Sequence, residues 1–259
     1  MLPQRRHAEI LQCLTKDGSA SITALCSQLA TSAATIRRDL IWLENEGVLT
    51  RVHGGAILVE ADEGVFEHVA REDSDAKEAV AKAAAALVCD GDAVLLDIGT
   101  TTHRLAAHLH GRDITVLTSN LAVYEELADD HAVELILLGG VVRRNYRSMV
   151  GFLTEDALRQ VRADRVFLGA SGVRGDGSVM DDTVVEVPLK RAMLAAADEV
   201  VLLADAAKFP GCGVARVCGA EEIDKVVTNA NADGATLAAM REAGVVVVGA
   251  TTTVEVARA

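Results

Sequence analysis

Two sets of residues in this chain have side chains and spacing suited to chemistry. One set follows short aliphatic runs in the C-terminal three-quarters of the sequence. In "LLDIGTTTHRLAAHL", Gly99 and then Thr100, Thr101 and Thr102 stand where a strand gives way to a helix. Backbone N–H groups at such a helix start, with three hydroxyls beside them, can hold a phosphate. Threonines there can also simply cap the helix. "LTSN" supplies Thr118, Ser119 and Asn120, and "LLGGVVRRNYRSMVG" supplies Gly139, Gly140, Arg143, Arg144 and Arg147. "VVEVPLKRAM" sets Glu186 and Lys190 four apart, and "LLADAAKF" carries Asp205 and Lys208. Taken singly, these are turn residues, surface charges or an i,i+4 ion pair. At the ends of several strands of one sheet, hydroxyls, glycines and a few cations suit a compact, polyhydroxylated anion. The glycines match neither a G-x-G-x-x-G fingerprint nor a P-loop, so neither a dinucleotide nor a nucleoside triphosphate is expected.

The second set lies near the N-terminus. Around "TSAATIRRDL", Ile36, Leu40 and Leu43 recur at helical spacing, which turns Arg38 away from the core and Arg37 onto the flank. Guanidinium forks on the outer side of a helix suit guanine edges or phosphates, although a solvated face is the plainer reading of an isolated pair. The surroundings favour the first. Ile10, Leu11 and Leu14 give a preceding helix an inward face, and Ser21 and Ser32 can cap two further helices on either side of the tight turn "ATS". "NEGVLTRVHGGA" then offers a helix stop, a short β run and a Gly-Gly turn. Helix, turn, helix and wing is the geometry that lays one helix in the DNA major groove. Ser32 at the start of that helix, Arg37 and Arg38 along it, and Arg51 and His53 in the wing are the candidate DNA contacts.

The elements that must position the first set are strands and helices in alternation. "AVLLDIG", "ITVLTS", "VELILLG", "RVFLGA", "EVVLLA", "KVVTN" and "GVVVVG" read as buried strands, with helical stretches such as "AKEAVAKAAAALV" and "ADGATLAAMREA" between them. That pattern predicts a largely parallel sheet covered on both faces, with ligands beyond the carboxyl ends of its strands. Residues 1–57 form the expected DNA-binding module, residues 58–74 an acidic connector, and residues 75–259 the α/β body.

Composition agrees with this division. The 259 residues are 50% hydrophobic but only 3% aromatic, so the core must be aliphatic. No apolar run is long enough for a membrane span and no signal-peptide pattern opens the chain, so a cytoplasmic protein without a membrane partner is expected. Cys13, Cys26, Cys89, Cys212 and Cys218 are scattered without metal-ligand spacing, and are read as free thiols rather than a metal site. The net charge of −13 is unevenly spread. Residues 1–57 hold six Lys or Arg against five acids, which leaves +1 there and −14 on the remainder. Local placement rather than bulk charge decides a DNA contact.

On these motifs the chain resembles the DeoR family of bacterial transcription regulators. "TIRRDL" at Thr35 to Leu40 and R-x-HGGA at Arg51 to Ala56 match its N-terminal domain. The resemblance continues with D-x-G-T-T at Asp97 to Thr101, T-S-N at Thr118 to Asn120 and L-G-G at Leu138 to Gly140. It extends to Glu186 ahead of K-R-A-M at Lys190 to Met193, and to L-A-D-x-x-K-F at Leu203 to Phe209. Two positions depart from the pattern: Thr31, where the family has an apolar residue, and Ala207, where it has a serine.

The resemblance implies an α/β protein in which an N-terminal winged helix-turn-helix joins a larger Rossmann-like sensor domain similar to ribose-5-phosphate isomerase. It adds Thr35 to the DNA contacts and Asp97 to the effector-binding residues. It further implies a regulator, usually a repressor, that binds operator DNA as a dimer or higher homo-oligomer, responds to a phosphorylated sugar or related metabolite, and needs no cofactor. The alternative is a sugar-phosphate isomerase with Glu186, Asp205 and Lys208 as base and electrostatic groups, which leaves the first 57 residues without a role.

Overall fold

The computed structural model describes residues 6–7, 9–10, 13–14, 19–45, 49–52, 54–58 and 65–251, and the chain divides into two units, residues 1–68 and 69–259. In the first unit, the described residues up to 14 are helical and precede strand β1 (Ser19–Ser21), helix α1 (Ile22–Leu29) and helix α2 (Ala33–Asn45). Strands β2 (Leu49–Val52) and β3 (Gly55–Leu58) form the wing. Both expected caps are present. Ser21 Oγ accepts the Ala24 N–H at 3.1 Å and Ser32 Oγ accepts the Thr35 N–H at 3.3 Å. Between the helices Ala30 adopts a left-handed conformation (φ 47°) that ends α1, and Thr31 donates its hydroxyl to the Leu29 carbonyl. Ile10, Leu14, Leu25, Leu29, Ile36, Leu40, Leu43 and Leu49 are buried together, on the register expected. Strand β1 was not expected. It pairs antiparallel with β3, an approach that requires glycine at 55, where a Cβ would stand 2.3 Å from the Ala20 carbonyl oxygen.

Helix α3 (Val65–Arg71) lies within the stretch 58–74 read as connector, and the division between the units falls inside it. The second unit continues with α4 (Ser74–Ala85), then strands β4 (Ala93–Leu96), β5 (Ile114–Thr118) and β6 (Val133–Leu137), with α5 (Thr100–Ala107) and α6 (Leu121–Leu127) between them. A hairpin of β7 (Val141–Arg143) and β8 (Ser148–Val150) follows, then α7 (Phe152–Leu158) and β9 (Ala163–Gly169). Beyond it come β10 (Gly172–Val173), β11 (Val179–Asp181), α8 (Val187–Ala195), β12 (Ala197–Leu203) and β13 (Ala215–Cys218). Strand β14 (Lys225–Asn229), α9 (Gly234–Glu242) and β15 (Val246–Ala250) complete the unit.

All seven aliphatic runs picked from the sequence are strands of one parallel sheet, ordered β15-β14-β12-β9-β4-β5-β6. One face packs against α4, α5 and α6, the other against α7, α8 and α9. From β4 the chain moves outward through β5 and β6, then returns to the other side of β4 at β9. That reversal places the topological switch point between the carboxyl ends of β4 and β9, the place where doubly wound sheets bind ligands. Hairpin β7–β8 and the small antiparallel sheet β10-β11-β13 were not expected. At the front of the unit the buried Lys77 ammonium donates to the carbonyls of Val69 at 2.5 Å and Glu72 at 2.7 Å, and Arg104 donates to the Ala70 carbonyl at 2.9 Å.

Candidate functional site

Asp97 is the first residue past β4 and is fully buried at the switch point. Its Oδ2 accepts the Gly169 N–H at 2.9 Å from the end of β9 and pairs with the Lys190 ammonium, which reaches down from α8. Lys190 Nζ also donates to the Gly169 carbonyl at 3.0 Å and lies 3.5 Å from Asp181 Oδ2. Burial works to lower the Lys190 pKa, but Asp97, Asp181 and Glu186 outweigh it and hold the ammonium above its usual range. Burial likewise raises the Asp97 carboxyl, against the pull of Lys190. Glu186 closes a short 3-10 turn just before α8 and pairs with Arg143, whose guanidinium stacks 4.0 Å above the Tyr146 ring. Glu186 and Lys190 therefore do not satisfy one another. One reaches the hairpin, the other the central strand.

Burial pushes the Glu186 carboxyl up from 4.5 to about 7, with Lys190 and Arg143 pulling against it. A carboxyl that holds its proton more tightly folded than unfolded costs stability as pH rises from its unfolded value to its folded one. The window here is from about 4.5 to about 7. Replacing Glu186 by Gln is expected to remove that slope. Relative to the parent, the variant should gain up to about 3 kcal/mol between pH 4.5 and pH 8. Melting curves of both proteins at the two pH values measure it, and parallel curves would refute the buried-carboxyl account.

The threonine loop begins α5. Gly99 sits at φ 140°, which disfavours any other residue, and no side chain caps the helix it precedes. The N–H groups of that first turn lack intrahelical partners, as at any helix start. Thr102 is committed to the loop itself, its Oγ1 lying 2.7 Å from the Asp97 carbonyl and 2.9 Å from that of Gly99. Thr118 and Asn120 serve the same loop. Thr118 donates to the Leu96 carbonyl at 2.8 Å and accepts the Asn120 N–H at 3.0 Å. Asn120 caps α6 through Oδ1 and donates to the Gly99 carbonyl at 3.2 Å. Thr100 is buried and Thr101 half-buried, and neither hydroxyl forms a hydrogen bond among the described residues.

Asp205 is buried and accepts the Ala207 N–H at 3.0 Å, which shapes the turn after β12. Lys208 is half-buried in that turn, its N–H donating to the Asp205 carbonyl at 3.0 Å, and its ammonium forms no hydrogen bond or ion pair among the described residues. It is two strand positions from β4, about 10 Å across the sheet at ordinary strand spacing. Gly140 is required by packing, since a Cβ there would lie 2.1 Å from Thr154 Oγ1, whereas Gly139 is open and accepts the Thr154 hydroxyl at 2.8 Å. Sequence reasoning missed Asp181, which has no motif around it, and Ser148, whose hairpin was not foreseen. Among the described residues no His, Cys, Asp or Glu group could hold a metal, and no helix is long and apolar enough to cross a membrane.

In the N-terminal unit Arg37 and Arg38 are exposed on α2 and make no ion pair among the described residues. Asp39, beside them, is buried. Its carboxylate takes Arg6 Nε at 2.5 Å, Arg6 Nη2 at 2.9 Å and His7 Nε2 at 3.1 Å, which ties α2 to the helical residues ahead of it. Burial opposes its ionisation, but Arg6 and His7 together hold its pKa below the usual range. Its place three residues after Ile36 was the signal, since that puts it on the inward side. Ser32 Oγ lies 3.0 Å from Thr35 Oγ1 at the helix start. Arg51, in the wing, is held by Glu44 at 2.5 Å. His53 lies outside the described residues.

A winged helix-turn-helix with bare arginines, followed by a doubly wound unit with a polar cluster at its switch point, defines a DNA-binding regulator with a sensor. The sequence matches the DeoR-like helix-turn-helix domain over residues 6–62 and the DeoR C terminal sensor domain over residues 72–230. The chain belongs to the DeoR family of transcription regulators. It is 32% identical to the HTH-type transcriptional regulator GolR of Listeria innocua, over 94% of this chain and 97% of that protein. It is 31% identical to the glycerol-3-phosphate regulon repressor of Escherichia coli, over 89% of this chain and 92% of that protein. Among solved structures, ribose 5-phosphate isomerase A of Methanocaldococcus jannaschii aligns at a TM-score of 0.40 and 19% identity, covering 52% of this chain and 54% of that one. A likeness of that size assigns neither chemistry nor ligand.

Proposed function

We propose that the protein is a repressor whose hold on operator DNA is released by a phosphorylated sugar or related metabolite at the ends of β4, β5, β9 and β12. The observation that carries this is the uncapped start of α5 beside Gly99, with an unpaired cation, Lys208, on the same edge of the sheet. An anion is stabilised by bare helix-start N–H groups and by a mobile ammonium. Relatives are named for regulation, one of them for glycerol 3-phosphate. An effector releases the operator only by binding the DNA-free state more tightly. Operators read by paired helix-turn-helix units favour a dimer or higher assembly. No enzymatic step is assigned, because Glu186 is engaged by Arg143 and Asp205 by backbone.

Mobility shifts on the upstream DNA, with and without sugar phosphates, test the reading. Lys208→Ala is expected to weaken the inducing sugar phosphate at least about 10-fold while operator binding and fold persist. Calorimetry on both proteins decides it. Unchanged affinity moves the phosphate elsewhere, toward Arg144 and Arg147. Loss of operator binding as well makes the lysine structural.

A further inference from the structure

Among the described residues five buried side-chain atoms have no hydrogen-bond partner, and three of them stand on adjoining segments: Asp97 Oδ1, Ser119 Oγ and Ser148 Oγ. Leu96 and Thr118 are paired on neighbouring strands, so Asp97 and Ser119 leave the sheet side by side. Ser148 lies opposite Asn120, and the Met149 N–H donates to the Ser119 carbonyl at 2.9 Å. The apolar residues two positions from each, Leu95, Leu117 and Val150, belong to the one core layer that also contains α8, the helix of Lys190. All three residues have no exposed surface. A buried polar atom without a partner is costly, and three together in a natural fold call for something that satisfies them.

We propose that Asp97 Oδ1 and the hydroxyls of Ser119 and Ser148 form the subsite for the hydroxyl-bearing end of the effector. This deepens, and rests on, the sugar-phosphate reading given above. The chemistry sets the ligand group. A carboxylate oxygen only accepts, so it requires a donor, whereas a serine hydroxyl both donates and accepts. A sugar hydroxyl meets both demands. Lys190 occupies the other Asp97 oxygen and fixes the side chain in place. The phosphate is left to the threonine loop, at the opposite end of the ligand. Ser119 and Ser148 then discriminate among sugar phosphates, and inorganic phosphate binds without them.

The test uses the full chain with ribose 5-phosphate, fructose 6-phosphate, glucose 6-phosphate and inorganic phosphate. The sugar phosphate bound most tightly by the parent is titrated into Ser119→Ala and Ser148→Ala by calorimetry, beside inorganic phosphate. Each variant is expected to lose about 10-fold in sugar-phosphate affinity and to bind inorganic phosphate within about 2-fold of the parent. The unliganded variants should melt at or above the parent temperature, since each loses a hydroxyl with no protein partner. Unchanged sugar-phosphate affinity in both variants overturns the subsite and leaves the sugar-phosphate reading standing. A clear fall in the unliganded melting temperature, with inorganic phosphate weakened equally, makes the hydroxyls structural and also overturns it. If the parent binds inorganic phosphate but none of the sugar phosphates, the underlying reading fails and the subsite falls with it.

Discussion

Replacing Lys190 by methionine is expected to destabilise the C-terminal unit by about 3 to 5 kcal/mol, the range for breaking one half of a buried ion pair. Methionine nearly matches the lysine stem, so the loss is electrostatic rather than a cavity. Lys190 and Asp97 have side-chain exposures of 2% and 0%, and water cannot replace the missing ammonium. Without it, Asp97, Asp181 and Glu186 face one another with Arg143 as the remaining cation nearby. The deficit should widen as pH rises, because Asp97 and Glu186, both already shifted upward by burial, then hold their protons still more tightly folded than unfolded. Adding Asp97→Asn to Lys190→Met should recover part of the loss, since removing both charges costs less than stranding one. Urea unfolding of the single and double variants at pH 5 and pH 8 checks this. A single variant as stable as the parent at pH 8 would mean that the ammonium is dispensable to the fold.

The second large effect concerns DNA. Arg38→Ala is expected to weaken operator binding by about 1 to 3 kcal/mol, roughly 5-fold to 150-fold. Ile36 and Leu40 are buried to within 1% on the inner side of α2, while Arg38 is exposed. Melting temperature should therefore barely change. Comparing operator with unrelated DNA separates two mechanisms. A guanine contact relaxes one base position, whereas a phosphate contact weakens all sequences alike and lowers the salt slope by about one. Parent-like binding to the operator by both Arg37→Ala and Arg38→Ala would mean that another face of the unit meets DNA.

The strands were legible because buried parallel strands are continuous aliphatic runs, and runs such as "RVFLGA" and "EVVLLA" have few other uses. The caps at Ser21 and Ser32 were legible for a similar reason, since each acts within three residues. Partners set by sheet order were not. That Lys190 would meet Asp97, 93 positions away, depends on β9 lying beside β4, and spacing alone suggested a pair with Glu186. Hairpin β7–β8 was hidden because Val141 and Val142 are exposed and Arg143 faces Glu186, so no alternation of buried and open residues marks it. Thr102, Thr118 and Asn120 were recognised as site residues, yet the bonds holding their polar atoms to the loop could be seen only in three dimensions.

Lys77 and Arg104 hold residues 69 to 72 by their carbonyl oxygens, those of Val69, Ala70 and Glu72, while Arg104 also donates to the Ser74 hydroxyl at 2.8 Å and to Glu78 at 3.2 Å. A carbonyl is the same whatever side chain accompanies it. These three bonds therefore depend on the presence of that stretch of chain rather than on its side chains. Substitutions at 69, 70 and 72 leave the acceptors in place, whereas a truncation that begins at Asp75 strands a buried ammonium. The residue at which the sensor can be excised is set by backbone reach, several positions ahead of where the acidic sequence gives way to the alanine-rich helix.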